Sequence, residues 1–180
     1  MNNKLNAIGL LVVILLIPAL LGFTLSNQED DSSYIKFKIK NAGITVEGLF
    51  ESFVADIHYD KNNPGKSKFN GIIKVSSINT GIKMRDNDLQ KEEYFDAVKY
   101  PVIKFISTDV EGVSSSKLRV SGNLTIKNTT KKIVLEVVIA ESGGKTIYSS
   151  SLKLNRRDYG VGGKSWMLAD EVDIDLKIIK

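Results

Sequence analysis

From Tyr34 to the C-terminus, apolar and polar residues alternate along the chain with a period of two. At this spacing successive side chains of a β-strand point to opposite faces. Tyr34–Lys40 sets Ile35, Phe37 and Ile39 on one face and three lysines on the other. Leu118–Ile126 repeats the pattern, with Leu118, Val120, Leu124 and Ile126 inward and Arg119, Ser121, Asn123 and Thr125 outward. Further strands are predicted at Phe69–Ile78, Val102–Val110, Ile133–Ala140, Thr146–Leu154 and Val172–Ile178. One long strand, Ile44–Tyr59, changes phase: Ile44, Val46 and Phe50 share one parity, Phe53, Ala55, Ile57 and Tyr59 the other. A bulge near Glu51–Ser52 absorbs that shift and bends the strand, as closure of a barrel requires.

The turns are short and carry turn chemistry: Asn62–Gly65, Lys127–Thr129 and Ser142–Gly144 supply Gly or Asn for positive φ. Asn128-Thr-Thr130 spells a glycosylation sequon, and its place between two strands reads as a turn. Asp86–Asp96 breaks the alternation, is rich in helix formers and ends before Pro101. It predicts one short helix with Asp86 as its N-cap. Eight antiparallel strands over roughly 150 residues fit an up-and-down barrel or a two-sheet sandwich. The large apolar inward positions, and the absence of a Cys–Trp–Cys arrangement, favour the barrel. The fold class expected is therefore all-β, an eight-stranded antiparallel up-and-down barrel with one short helix.

The first 26 residues differ from the rest. Lys4 precedes an apolar run, Ala7 to Leu21, and the next charges are Glu29, Asp30 and Asp31. This is the pattern of a secretory signal peptide, and its length also suits an uncleaved membrane anchor. The organisation expected is a leader over 1–26, a linker over 27–33 and one domain over 34–180. The protein is placed outside the cytoplasm, in the periplasm or cell envelope, free or held to the inner membrane by the leader. The chain has no cysteine and a net charge of +4 without a concentrated basic stripe. Thiol chemistry is thereby excluded, and a nucleic-acid partner is not expected.

Little in the sequence carries catalytic chemistry. His58 is the only histidine and alternates outward between Ile57 and Tyr59; a zinc or copper site needs more nitrogen or sulfur ligands. Asp173 and Asp175 alternate with Val172, Ile174 and Leu176, so they read as the wet face of the last strand. No enzyme activity, metal or cofactor is expected. Phe37, Phe50, Phe53, Phe69, Ile73, Phe95, Tyr100, Phe105, Leu124, Leu154, Tyr159 and Trp166 are the candidate lining of an apolar cavity. Each of them taken alone reads as ordinary core. Arg85, Asp86 and Arg157 are the candidate polar mouth, because guanidinium binds phosphate or carboxylate bidentately. Arg156-Arg157-Asp158-Tyr159 before Gly160 also reads as a structural polar corner.

The stretches Val46–Phe50, Ser77–Thr80, Met84–Asp86, Tyr94–Asp96, Tyr100–Phe105, Gly122–Ile126 and Asn155–Gly160 occur in the order seen in the YceI-like family, and the chain resembles that family from Tyr34 to its end. The resemblance implies a lipocalin-like barrel, usually exported, that holds a long apolar chain such as a polyisoprenoid or fatty-acid derivative. Asn41 stands where many members carry a histidine. Three readings stay open at this stage: a lipid carrier or sequestering protein, a non-lipid interaction or stress-protection module with a filled core, and a quinone-binding electron-transfer accessory. Pairing of two barrels is also left open.

Overall fold

The structure is a computed structural model that describes residues 32–180. The expected leader and most of the linker lie outside the described residues. Strands β1 (Tyr34–Asn41) and β2 (Ile44–Phe50) form a hairpin. Its two turn residues, Ala42 and Gly43, both take positive φ (50° and 80°), the geometry that matches the twist of paired strands. Strand β3 (Phe53–His58) follows after only Glu51 and Ser52. Next come β4 (Lys68–Lys74), a 3-10 turn at Val75–Ser77, β5 (Ile78–Asn79) and helix α1 (Lys83–Leu89). Strands β6 (Val102–Ser114), β7 (Lys117–Ile126), β8 (Thr129–Ser142), β9 (Lys145–Asn155) and β10 (Leu168–Ile179) complete the order.

All strand pairs are antiparallel, in the order β3-β4-β6-β7-β8-β9-β10-β1-β2-β5. The strands near the two ends of that order, β2 and β3, are consecutive in the chain, so the sheet must curl round until they meet at Glu51–Ser52. The backbone locks this corner: Glu51 N donates to Ser77 O (3.0 Å) and Lys74 N to Ser52 O (2.9 Å). Below the bend, β3 pairs with β4 alone. The Lys180 ammonium bridges its open side by donating to Ala55 O at 2.6 Å.

The eight strands expected are thus ten. The long strand is split in two by its bend, and Phe69–Ile78 is interrupted by the turn at Val75 that releases β5. The helix also differs: it spans Lys83–Leu89 rather than Asp86–Asp96, and the chain then continues in hydrogen-bonded turns to Pro101. Asp86 is not its N-cap, a position held by Ile82 without a side-chain bond. The buried Asp86 carboxylate instead accepts from Thr80 N (2.8 Å) and Thr80 Oγ1 (2.6 Å). Gly81, at φ +77°, turns the chain, so the carboxylate fastens the corner before the helix and leaves the first helical N–H groups alone.

The inward side chains form two clusters. At one end Phe69, Val110, Leu118, Val120, Leu135, Val137, Tyr148 and Ile178 fill the barrel. The Tyr148 ring meets Phe69 and Tyr59 edge to face, at centroid separations of 5.6 and 6.3 Å, a favoured aromatic geometry. At the other end Phe50, Val75, Ile78, Ile103, Leu124, Ile126, Tyr159 and Val161 line the wall, with Leu89, Tyr94 and Phe95 packed against them.

Two glycines make room for rings on this wall. A Cβ on Gly48 would sit 2.4 Å from Phe37 Cζ, and one on Gly122 would sit 2.4 Å from Phe105 Cζ and 2.6 Å from Ile106 O. Because a backbone oxygen cannot swing aside, Gly122→Ala is expected to destabilise the fold by about 2–3 kcal/mol. A urea melt of that variant coinciding with the parent would refute the packing described.

Candidate functional site

The alternation of every long strand aims one row of apolar side chains into the barrel, and they enclose two adjoining cavities. The deeper, about 170 Å³, is lined by residues including Phe53, Ile57, Phe69, Ile73, Phe105, Leu124, Leu135 and Tyr148. The outer, about 640 Å³, is lined by Phe37, Ile39, Val46, Leu89, Phe95, Tyr159, Val161 and Val172 among others. Phe50, Ile103, Ile126, Leu154 and Ile174 line both, so the two spaces adjoin along this belt of side chains, the neck between them. Thr80, Arg85, Asp88, Glu93, Lys164 and Ser165 add polar groups only to the outer cavity.

Most of the residues proposed from alternation meet here. Phe37, Phe95 and Tyr159 face the outer space, Phe53, Phe69, Ile73, Phe105 and Leu124 the inner one, and Phe50 and Leu154 the neck. Two do not. Tyr100 lines neither cavity and stands at the end of the loop before Pro101, with Lys99 Nζ 5.3 Å from its ring centre. Trp166 is 92% exposed. It lies in the irregular segment between Gly160 and β10, where no strand pairing imposes alternation. His58 is exposed on β3, 3.3 Å from Asp56.

The polar set also sorts differently from expectation. Arg85 does line the outer cavity. Its Nε donates to Thr80 Oγ1 (2.8 Å) and its Nη2 to Thr80 O (2.7 Å), and it forms no ion pair among the described residues. Asp86 lies beneath it and lines neither cavity. Arg157 also lies outside the lining: it is half exposed and pairs with Asp170 at 3.3 Å.

Its neighbour Arg156 is the buried one. Its Nε donates to Ala169 O, its Nη1 to Val161 O and Gly163 O, and its Nη2 to Leu168 O and Asp170 Oδ1, all at 2.8–3.2 Å. Five N–H donors thereby meet five acceptors, which saturates a guanidinium and ties the rim segment 161–170 to the wall. The signal lay in parity, since Leu152, Leu154 and Arg156 continue one face past the end of β9. The short turn Arg156–Tyr159 hides this by ending the strand at Asn155.

Burial raises the phenol pKa of both Tyr148 and Tyr159 above the ordinary 10.0, and Asp158 adds to the rise at Tyr159. An unfolded tyrosine ionises near 10, below the folded value. The stabilisation is therefore complete below pH 10 and is lost as the pH climbs through the folded values. Both phenols are expected to ionise above the ordinary tyrosine range in a phenolate absorbance titration. The urea midpoint should fall above pH 10, and fall less in a Tyr148→Phe/Tyr159→Phe variant. Equal slopes in parent and variant would contradict the assignment.

An antiparallel sheet curled round an apolar interior, with a short helix at the open end, defines a lipocalin-like barrel with an internal apolar cavity. Residues 27–179 match the YceI-like domain, and the chain belongs to that family. It is similar to a UPF0312 protein of Photorhabdus laumondii, 29% identical over 153 residues that cover 81% of this chain and 79% of the relative. The crystal structure of Burkholderia cenocepacia BcnA superposes with a TM-score of 0.78 at 27% identity, covering 82% of this chain and 96% of that one. A polyisoprenoid binding domain from Saccharophagus degradans shares the fold, with a TM-score of 0.66 at 16% identity over 82% of this chain and 92% of that one.

Proposed function

We propose that the protein is a lipid carrier or sequestering protein of the cell envelope, which holds one isoprenoid or acyl chain inside the barrel and catalyses no reaction. The observation that carries this reading is the shared neck. With Phe50, Ile103, Ile126, Leu154 and Ile174 bordering both cavities, the path proposed for one slender chain runs between them from the rim to the Phe69–Tyr148 plug. Each buried methylene contributes about 0.8 kcal/mol, so ten carbons supply on the order of 8 kcal/mol before association costs. Apolar burial alone is then enough for binding. Arg85 stands at the wide end, where a phosphate or carboxylate head group would lie. The polyisoprenoid binding named for the Saccharophagus fold neighbour is in keeping with this reading. Export would follow from the apolar segment Ala7–Leu21 acting as signal peptide or anchor.

Native mass spectrometry of protein purified gently from cells tests the proposal. The expected result is a copurifying lipid, or stoichiometric uptake of an added prenyl lipid. Protein that is empty and takes up no prenyl or acyl lipid would overturn it. A bound quinone, visible in the ultraviolet spectrum, would move the function to electron transfer.

A further inference from the structure

The rim of the outer cavity is unusual for a surface that meets water. Ile82, Met84 and Met167 line its opening, and Met84 is 74% exposed. Next to Met167 in the chain stands Trp166, at 92% exposure the barest aromatic side chain of the domain. Ala42 N donates to Met167 O at 2.8 Å, which brings the β1–β2 hairpin alongside and with it Ile44, 71% exposed. Three segments distant in sequence thus place bare apolar side chains round one opening.

The charges between them are mainly positive. Lys40, Lys83 and Lys164 are exposed among these side chains. Lys83 and Lys164 form no ion pair among the described residues, and Lys40 donates to Thr45 Oγ1. The acidic residues on the same opening, Asp88 and Glu93, both act on Lys91. On the barrel wall some cations are paired, Lys38 with Glu47, Lys153 with Glu171 and Asp173, and Arg119 with Glu111 and Glu136, while others such as Lys74 and Lys104 are exposed without an ion pair among the described residues. What sets this side of the rim apart is that unpaired lysines stand beside a bare tryptophan and two methionines. Aromatic side chains with lysines at their flanks suit the boundary between water and a bilayer that carries negative head groups.

We propose that this rim docks on an anionic lipid bilayer, so that a chain passes between the membrane and the cavity without crossing water. The inference rests on the reading that the cavity holds a lipid chain. It adds where the chain comes from and which surface meets that source.

The chain contains a single tryptophan, so Trp166 reports on its own surroundings. Vesicles of equal parts phosphatidylglycerol and phosphatidylcholine should shift its emission to the blue. Brominated acyl chains should quench it, and pure phosphatidylcholine vesicles should do so far less. Because Ile44, Trp166, Lys40 and Lys83 are exposed and line neither cavity, an Ile44→Ser/Trp166→Ser variant and a Lys40→Glu/Lys83→Glu variant should fold as the parent does. Both should float with the anionic vesicles less than the parent. Uptake of a fluorescent prenyl lipid from the vesicles should slow by roughly tenfold or more once the apolar anchors or their cations are gone. Uptake of the same lipid delivered by cyclodextrin should stay at the parent rate.

A parent protein that loads from cyclodextrin, yet shows no blue shift with anionic vesicles, would overturn docking and leave lipid binding standing. Variants that load from vesicles at the parent rate would overturn it equally. A blue shift of Trp166 seen only with a protein partner would overturn it too. A parent protein that loads from neither source would refute the carrier reading beneath it.

Discussion

Leu154→Trp is expected to abolish binding of a long-chain lipid while the barrel still folds. Leu154 lies on β9, paired with Val172, and borders both cavities. An indole there occupies the neck through which a chain would reach the deeper space. Excluding about six methylenes forfeits roughly 5 kcal/mol, a loss of more than about a thousandfold in affinity. The same ring enters a wall that already has open space on its inner side. The stability cost should then stay within the usual overpacking range of about 1–3 kcal/mol. Titration of a prenyl lipid followed by native mass spectrometry reads the first effect, and a urea melt reads the second. Unchanged affinity in a folded variant would mean that no ligand passes the neck. A shorter lipid that fits the outer cavity alone should keep most of its affinity, which separates a blocked tunnel from a damaged barrel.

The second large effect belongs to Arg156. Its side chain is 4% exposed, and it satisfies four backbone carbonyls as well as Asp170. Arg156→Ala strands those acceptors and releases the rim segment, at an expected cost of about 3–5 kcal/mol in urea unfolding. Arg156→Lys should recover little, because one ammonium cannot reach acceptors spread around a planar fork. Arg157→Ala, one residue along, should lie within about 1 kcal/mol of the parent, since its pair with Asp170 faces solvent. Near-equal effects at the two positions would overturn the assignment of the buried clasp.

The alternating residues foretold the strands, because the period of two is imposed by the strand itself and survives without tertiary detail. The bend at Glu51–Ser52 was legible for the same reason, since a parity switch between Phe50 and Phe53 leaves few other geometries open. The short helix was legible only as an interruption of the pattern. Its bounds depended on Thr80, whose N–H and hydroxyl claim Asp86, while the helix starts at Lys83 behind Ile82 as N-cap. A propensity reading cannot see that bond.

Parity also told which side chains face inward, and so most of the cavity lining. What it could not tell is whether the inward rows fill the barrel or leave it hollow. That depends on the barrel's width at each level. Phe69, Tyr148, Leu118 and Val120 close one end, while Phe37, Phe50 and Phe95 stand round a space at the other. Two neighbouring arginines differ in sequence only by parity. Which of them is buried was settled by the segment that folds back over Arg156, and the same fold-back leaves Trp166 in the open. Sequence alone therefore determined an all-β chain with one apolar face per strand, because alternation is local. The hollow, its neck and the arginine clasp at its rim were decided by the tertiary structure, because each requires residues far apart in the chain to meet at a set distance.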